Sequence, residues 1–288
     1  MLNKNISAKL LIHCPDQSGI VASVAEFVHK FKGNIIHLNE HVDIEEKTFF
    51  MRVEWELENF TINREEIGPT FLNEVGDKFK MNWNIYFSDD VPRAAIFVSK
   101  LNHCVFDILS NTFSQNWKLE IPLMISNHND LRELAEKFGI DFYYLPITSE
   151  NKTEQELKQL ELLEKYKIDF AVLARYMQIV SPDFISKYQN RIINIHHSFL
   201  PAFPGAKPYH SAHQRGVKII GATSHYVTDD LDAGPIISQD VVNVTHKDSV
   251  KDLIRKGRDL EKLVLSRAIY LHINKKLLVY NNRTIVFE

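Results

Sequence analysis

The strongest constraint on the fold is a change of pattern near residue 90. Two helix-like segments lie among strand-like ones before Ser88–Pro92, a short polar stretch that ends in proline. After it, short apolar runs alternate with helical segments, which is typical of βαβ units and a mostly parallel sheet. The sequence therefore predicts two domains, residues 1–87 and residues 94–288, joined by a linker at 88–93.

The first domain is predicted to have the order βαββαβ, with both helices on one face of an antiparallel sheet in a ferredoxin-like arrangement. Strand patterns cover residues 8–12, 34–43, 48–57 and 82–87, and helical spacing covers 18–31 and 63–79. With Asp16-Gln17-Ser18-Gly19 at the start of the first helix, this order resembles the ACT domain family. The resemblance implies a small-molecule sensing module that commonly pairs with a second copy, and it leaves ligand binding open.

The second domain is predicted to be a doubly wound α/β fold with a mostly parallel sheet. Strand-like runs fall at 94–98, 121–125, 143–145, 170–173, 191–196 and 219–228, helical ones at 105–113, 130–138, 153–166, 208–215 and 249–272, and a final hairpin at 276–287. Ligands of such sheets bind beyond the carboxyl ends of the strands. We therefore expect the site there.

Charge and composition exclude several classes of function. The 288 residues carry a formal net charge of −3, so the charge balance does not favour nucleic acid or an anionic membrane as partner. Apolar runs such as Ala94–Val98 are too short to span a bilayer, and the amino terminus lacks the pattern of a secretion signal. Cys14 and Cys104 form no CxxC motif, so we expect free thiols in a reducing, cytoplasmic setting.

Residues 191–239 carry the densest group of side chains able to do chemistry. Asn194 and His196 lie two apart on one strand and so share a side, and Asp232 follows in an acidic loop. Acyl-type transfer needs an oxyanion donor, an imidazole and a carboxylate that holds the nucleophile, and these three residue types supply them. A strand-end Asn or His is more often a structural residue, so spacing alone leaves both interpretations open.

A metal site is the alternative raised by the histidines of this region, which are His196, His197, His210, His213 and His225. The sequence has no HExxH motif, and no carboxylate stands at ligand spacing from these histidines. We therefore expect no metal.

Two motifs here resemble the formyltransferase family, which uses 10-formyltetrahydrofolate. They are Asn194-Ile195-His196-His197-Ser198-Phe199-Leu200-Pro201 and Leu231-Asp232-Ala233-Gly234-Pro235. The resemblance implies that Asn194, His196 and Asp232 are catalytic and that His225 stands beside the aspartate. It also implies two folate-binding segments, with Leu173, Arg175, Met177, Gln178, Ile179 and Val180 in one and Thr228, Asp229, Asp230 and Leu231 in the other.

The branch of the family is indicated by what the chain lacks. Glycinamide ribonucleotide transformylases carry a glycine-rich phosphate loop, because such a loop at a helix start cradles phosphate. Here the same place reads Val98-Ser99-Lys100-Leu101-Asn102-His103-Cys104, without glycine. Members that act on tRNA carry a further domain and basic surfaces. The whole arrangement instead resembles formyltetrahydrofolate deformylases, which implies hydrolysis to formate and tetrahydrofolate with no cofactor beyond the folate substrate.

Supporting roles follow from the same resemblance. His197 stands where other members usually carry proline, and His197, Lys207 and His210 are candidates for ordering the water, in a loop shaped by Gly205. We expect a homo-oligomer with a small-molecule folate partner and, at the first domain, a small amino acid such as glycine or methionine as effector. A transferase with an unidentified amino acceptor and a non-catalytic sensor remain open.

Overall fold

The computed structural model describes residues 6–201 and 208–288. The chain forms two compact units, of which the first runs to Asp90 and includes Lys275–Leu278 and Ile285–Glu288. The second comprises Val91–Asn274 and Val279–Thr284. Each unit has its own apolar core. The domain bounds proposed from the sequence, 1–87 and 94–288, remain a prediction.

The first unit has the predicted order βαββαβ. Its elements are β1 (Ser7–Pro15), α1 (Ile20–Lys30), β2 (Asn34–Asp43), β3 (Thr48–Glu56), α2 (Arg64–Phe71), which continues as one π-helical turn (Leu72–Gly76), and β4 (Asn82–Phe87). The sheet has the strand order β2-β3-β1-β4 with antiparallel neighbours. Alternate residues of β3, such as Met51 and Trp55, pack with Val24 and Phe27 of α1 in one core. The helical segment was predicted to reach residue 79 but ends at Gly76. Gly76 packs closely on Trp83, since a Cβ at this position would lie 3.2 Å from the ring nitrogen of Trp83.

The second unit is built on a seven-stranded sheet of order β11-β10-β9-β8-β5-β6-β7. Its elements are β5 (Arg93–Val98), α3 (His103–Phe113), β6 (Glu120–Ser126), α4 (Arg132–Lys137), β7 (Asp141–Tyr144), α5 (Lys152–Lys165), β8 (Phe170–Ala174), α6 (Pro182–Lys187), β9 (Ile192–His196), α7 (Pro208–Arg215), β10 (Ile219–Tyr226), β11 (Ile236–Asn243) and α8 (Val250–Ile273). A hairpin of β12 (Leu277–Tyr280) and β13 (Arg283–Val286) follows.

The predicted mostly parallel sheet is confirmed, with two antiparallel strands at one edge. Strands β5 to β9 pair in parallel, whereas β10 is antiparallel to both β9 and β11. The sequence analysis did not predict β11 or α6. Half-polar β11 takes its strand form from pairing with β10, and α6 is too short for a periodic pattern to show.

Helices cover both faces of this sheet. Ala95 and Phe97 of β5 share a core with Leu163 of α5 and Phe184 of α6, while Ala94, Ile96 and Val98 of the same strand are buried on the other face. The chain leaves β5 for β6 on one side and returns to β8 on the other. The carboxyl ends of β5 and β8 therefore border the crevice where ligands of such sheets bind. In the described part of the chain, no helix combines the length and the apolar character that crossing a membrane requires.

Candidate active site

Strand β9 presents two of the predicted catalytic side chains, Asn194 and His196, on one side of the sheet. The intervening Ile195 is buried on the opposite side, as the two-residue period of a strand requires. Antiparallel β10 pairs His225 with Asn194 and Thr223 with His196. Directly opposed residues of paired strands lie side by side, so this register adds His225 to the group.

Asp232 reaches the same place from the loop after β10. Its φ of 56° lies in the left-handed region, which costs free energy for a residue other than glycine. The loop is closed by Gly234, where a Cβ would lie 1.8 Å from the carbonyl oxygen of Tyr226. The Tyr226 amide also donates to the Pro235 carbonyl at 2.9 Å. The glycine and this bond fix the backbone that aims the carboxylate.

The Asp232 carboxylate contacts two imidazoles. Its Oδ2 lies 3.2 Å from His196 Nδ1, and its Oδ1 lies 3.6 Å from His225 Nε2. Hydrogen bonding to His196, the nearer imidazole, holds the pKa of the Asp232 carboxyl well below its usual range. The group is therefore ionised throughout the neutral range, and it fixes His196 with a proton on Nδ1.

His225 orients the amide of Asn194. Its Nδ1 lies 2.8 Å from the Tyr226 carbonyl oxygen, which can only accept, so Nδ1 carries a proton. In the neutral ring, Nε2 then accepts from Asn194 Nδ2 at 3.2 Å. One N–H of the amide is used in this way, and the second, which has no partner among the described residues, can donate to a substrate.

His196 keeps one ring nitrogen for chemistry. Its Nε2 is buried and has no hydrogen-bond partner among the described residues, although Nδ1 faces Asp232. Buried polar atoms are nearly always bonded in folded proteins, so an exception is a candidate for action on a ligand. Asn194, His196 and Asp232 thus combine an orphaned imidazole nitrogen, a free amide N–H and an ionised carboxylate.

Thr223 fixes the loop that follows His196, and the sequence analysis missed it. Its buried hydroxyl donates to the Ser198 carbonyl at 2.9 Å and accepts from the Leu200 amide at 3.0 Å. Gln239 of β11 donates to the same hydroxyl at 2.9 Å and to the Leu200 carbonyl at 3.1 Å. A threonine inside a strand carries no sequence signal for this role, because it depends on a strand pairing that only the fold defines.

The first predicted folate-binding segment follows β8 and divides into buried and exposed residues. Leu173 and Val180 belong to the core, so only their backbone could reach a ligand. Met177 and Ile179 are 55% and 60% exposed, and Gln178 is half-buried. Serine at the end of β5 holds the segment, since Ser99 Oγ accepts from the Met177 amide at 3.2 Å and donates to Asn127 at 2.7 Å.

The second predicted segment carries the acidic loop. Thr228 donates to the carbonyl of Asp230 at 3.2 Å, Asp229 and Asp230 are exposed, and Leu231 is 65% exposed. Exposed apolar side chains are therefore present in both segments, at Met177, Ile179 and Leu231. The folate contacts themselves remain a prediction.

The supporting residues separate in the structure. His197 is buried next to His196, with ring centroids 5.2 Å apart, whereas His210 is exposed on α7. Burial, together with the neighbouring Arg175 and His196, lowers the pKa of His197 to about 4. His197 is therefore neutral at physiological pH. Gly205 and Lys207 lie outside the described residues.

Arg175 was predicted to bind folate, which remains a prediction, and its side chain lies against a buried carboxylate of α8. Its Nε is 3.5 Å from Glu261 Oε2, and its φ is 62°. Glu261 also accepts from Tyr209 at 2.7 Å and lies 2.8 Å from His103 Nε2. The sequence does contain a signal for Glu261, because it interrupts the apolar stripe formed by Leu253, Leu260 and Val264 on α8.

His103, Cys104 and Glu261 form the one group among the described residues whose ligand atoms are close enough to hold a metal. The donor set fits a cation poorly, because Glu261 already faces the guanidinium of Arg175 and the hydroxyl of Tyr209. Burial also raises the pKa of the Cys104 thiol and so disfavours the thiolate that binds metals. The group is explained better as a hydrogen-bonded network than as a metal site.

Known proteins are similar to this chain over most of its length. The model of the formyl transferase family matches residues 92–269. A formyltetrahydrofolate deformylase from Synechocystis is 56% identical over 284 residues, which is 99% of each chain. The chain belongs to the formyltetrahydrofolate deformylase family. A formyltetrahydrofolate deformylase from Bacillus subtilis is 47% identical, with 97% of this chain and 93% of that protein aligned.

Solved structures show the same likeness over the whole chain. The crystal structure of a formyltetrahydrofolate deformylase from Pseudomonas syringae superposes with a TM-score of 0.96 at 41% identity, covering 100% of this chain and 96% of that one. The predicted resemblance to this family of enzymes is confirmed. Both compact units lie within the aligned length.

Proposed function

We propose that the protein hydrolyses 10-formyltetrahydrofolate to formate and tetrahydrofolate. The observation that carries the proposal is the convergence of Asn194, His196 and Asp232, in which His196 Nε2 is buried with no partner among the described residues. Full-length likeness to formyltetrahydrofolate deformylases supports the substrate and the reaction.

The three residues divide the chemistry. The second N–H of Asn194 and the Nε2 of a protonated His196 donate to the oxygen of the formyl group as it becomes an oxyanion. Asp232 orients the water. Because its pKa is low, the carboxylate is a weak base and takes the proton only as the C–O bond forms and the water becomes acidic. The carbon–N10 bond then breaks, and the proton passes to N10 as tetrahydrofolate leaves.

The folate is held by the two segments that follow β8 and β10. Backbone groups at Leu173 and Val180 and the exposed side chains of Met177 and Ile179 form one wall, and residues Thr228–Leu231 form the other. The adjacent His197 helps to order the water, with His210, Lys207 and Gly205 as further candidates. A neutral imidazole suits this role, since it can both donate to water and accept from it.

Formate release tests the proposal directly. Purified protein is given 10-formyltetrahydrofolate in buffer with a metal chelator, and Asp232→Asn is the control. We expect formate from the wild type in the presence of the chelator, since the mechanism needs neither metal nor cofactor, and none from the variant. Folate binding without formate would instead indicate a transferase that awaits its acceptor, or a sensor.

The first unit is proposed to be an ACT-like regulatory module that binds a small amino acid at an interface between subunits. Its βαββαβ topology supports this, as does Gly19, whose φ of 92° forms the turn between Asp16 and α1. Calorimetry of the full-length protein with glycine and methionine, together with its sedimentation velocity, tests the module. The proposal would be wrong if neither amino acid bound to the protein and neither changed the rate of formate release.

A further inference from the structure

Glu261 is a carboxylate on the apolar face of α8, and only 1% of its side chain is exposed. Its neighbours come from three separate segments of the second unit. Tyr209 of α7 donates to Oε1 at 2.7 Å, while His103 at the start of α3 and Arg175 after β8 lie 2.8 Å and 3.5 Å from Oε2. One side chain thus ties together α3, α7 and the end of a central strand.

The charge of Glu261 makes this tie strong. Burial works to raise the pKa of its carboxyl, but the hydrogen bond from His103, the charge of Arg175 and the bond from Tyr209 outweigh it, so the pKa lies below its usual value. A buried ion that loses its partner is strongly destabilising. Arg175, itself largely buried, therefore needs this carboxylate to keep its place.

Gly257 seats Tyr209 against the carboxylate. It lies one turn before Glu261 on α8, and a Cβ at this position would be 2.1 Å from the Tyr209 hydroxyl oxygen. Glycine inside a helix is destabilising relative to alanine. Here it leaves the room that the tyrosine needs to reach Glu261.

His197 connects the cluster to the proposed reaction. Its ring centroid lies 6.1 Å from that of Tyr209 and 5.2 Å from that of His196. Arg175 acts on the same imidazole through its charge. Two of the groups held by Glu261 therefore act on His197, Tyr209 through its ring and Arg175 through its charge, and His197 stands next to the catalytic imidazole.

We propose that Glu261 is a positioning residue: by holding Tyr209 and Arg175 it fixes His197 beside His196 for the reaction with water. The proposal rests on the hydrolysis proposed above. It assigns Glu261 no contact with the substrate, so its effect should fall on turnover and leave folate affinity nearly unchanged.

The test compares three variants with a matched control. Glu261→Gln removes the charge, Tyr209→Phe removes one bond, and Gly257→Ala displaces the tyrosine while favouring the helix. Glu54→Gln is the control, since Glu54 of the first unit is also a buried, ion-paired carboxylate and lies outside the proposed catalytic residues. Circular dichroism first establishes which variants fold.

In formate release, we expect Glu261→Gln and Gly257→Ala to lower kcat by about 10- to 100-fold, the cost of a misplaced catalytic group, with KM little changed. Glu261 is proposed to act through His197, so the two losses should not multiply. In the His197→Asn background, adding Glu261→Gln should therefore lower kcat by a further factor of less than about three. If Glu261→Gln does not fold, the kcat values of Gly257→Ala and Tyr209→Phe test the proposal in its place. The proposal would be overturned if any folded variant of the three had the kcat of the Glu54→Gln control. It would also be overturned if Glu261→Gln lowered kcat as much in the His197→Asn background as in the wild type.

Nitrogen-15 NMR of labelled histidines separates this proposal from the proposed function. The ring signals of His197 should shift in folded Glu261→Gln and Gly257→Ala and stay in place in Glu54→Gln. A wild type that releases no formate refutes the hydrolysis, and the NMR result still tests the positioning. If the His197 signals do not move and the wild type releases formate normally, the positioning role of Glu261 is wrong and the proposed hydrolysis stands.

Discussion

Each of the two units holds an ionised carboxylate among polar side chains, and the two surroundings differ. In the first unit, Glu54 accepts from Ser7 at 2.6 Å and from Arg52 at 2.7 Å, and Lys9 lies 4.0 Å away. These partners come from β1 and β3, which are neighbours in one sheet. The group is closed, because each of these polar side chains finds its partner on the same sheet face.

In the second unit, Asp232 binds two histidines that strands β9 and β10 deliver, and the group stays open. His196 Nε2 has no partner in the described ranges, and Asn194 keeps an N–H to spare. A buried charge is therefore weak evidence for function by itself. A charge whose buried neighbours keep an unused donor or acceptor indicates a site.

The largest expected effect is a loss of folding stability when the closed group around Glu54 is broken. Glu54→Gln leaves Arg52 buried without its counter-ion, which should cost about 3–5 kcal/mol of unfolding free energy. Formate release per folded molecule should stay at the wild-type rate. Urea unfolding and the formate assay measure the two effects, and a fall in turnover would mean that the closed group also serves the reaction.

The open group is expected to give the opposite result. Asn194→Ala removes one oxyanion donor, which should lower kcat by about 10²–10³-fold. Its unfolding free energy should change little, because the amide is only half-buried and makes one described side-chain bond. Steady-state kinetics and urea unfolding test this, and a variant that is destabilised yet fully active would show Asn194 to be structural.

His197 gives the smallest effect, which depends on pH. The unfolded chain protonates this ring near a pKa of about 6.5, whereas the folded protein keeps it neutral down to about 4. Its contribution to stability is thus fully present above pH 6.5 and is lost as the pH falls towards 4. The difference in unfolding free energy between the wild type and His197→Asn should therefore shrink by roughly 3 kcal/mol from pH 7 to pH 4. Parallel stability curves for the two proteins would contradict the buried neutral ring.

Sequence patterns predicted most of the fold. The weak alternation on β1 and the helical spacing on α1 are local patterns of this kind, and the apolar stripe of α8 is another, because a helix that packs on one side repeats its apolar residues with the helical period. Strand β11 was missed, since its half-polar sequence becomes a strand only by pairing with β10. The site was predicted in part. Two-residue spacing places Asn194 and His196 on one side, the acidic loop offered Asp232 as the carboxylate, and the motif resemblance pointed to the same three residues.

The sequence alone determined which groups are proposed to react and the order of most elements, because side-chain chemistry and local periodicity belong to short segments. The tertiary structure decided which of these groups meet. It brings Asp232 to His196 through a strained loop, places Arg175 against Glu261, and packs Tyr209 over Gly257. Such contacts join residues dozens of positions apart. Only the packing of strands and helices fixes them, and no local pattern encodes a distance across a fold.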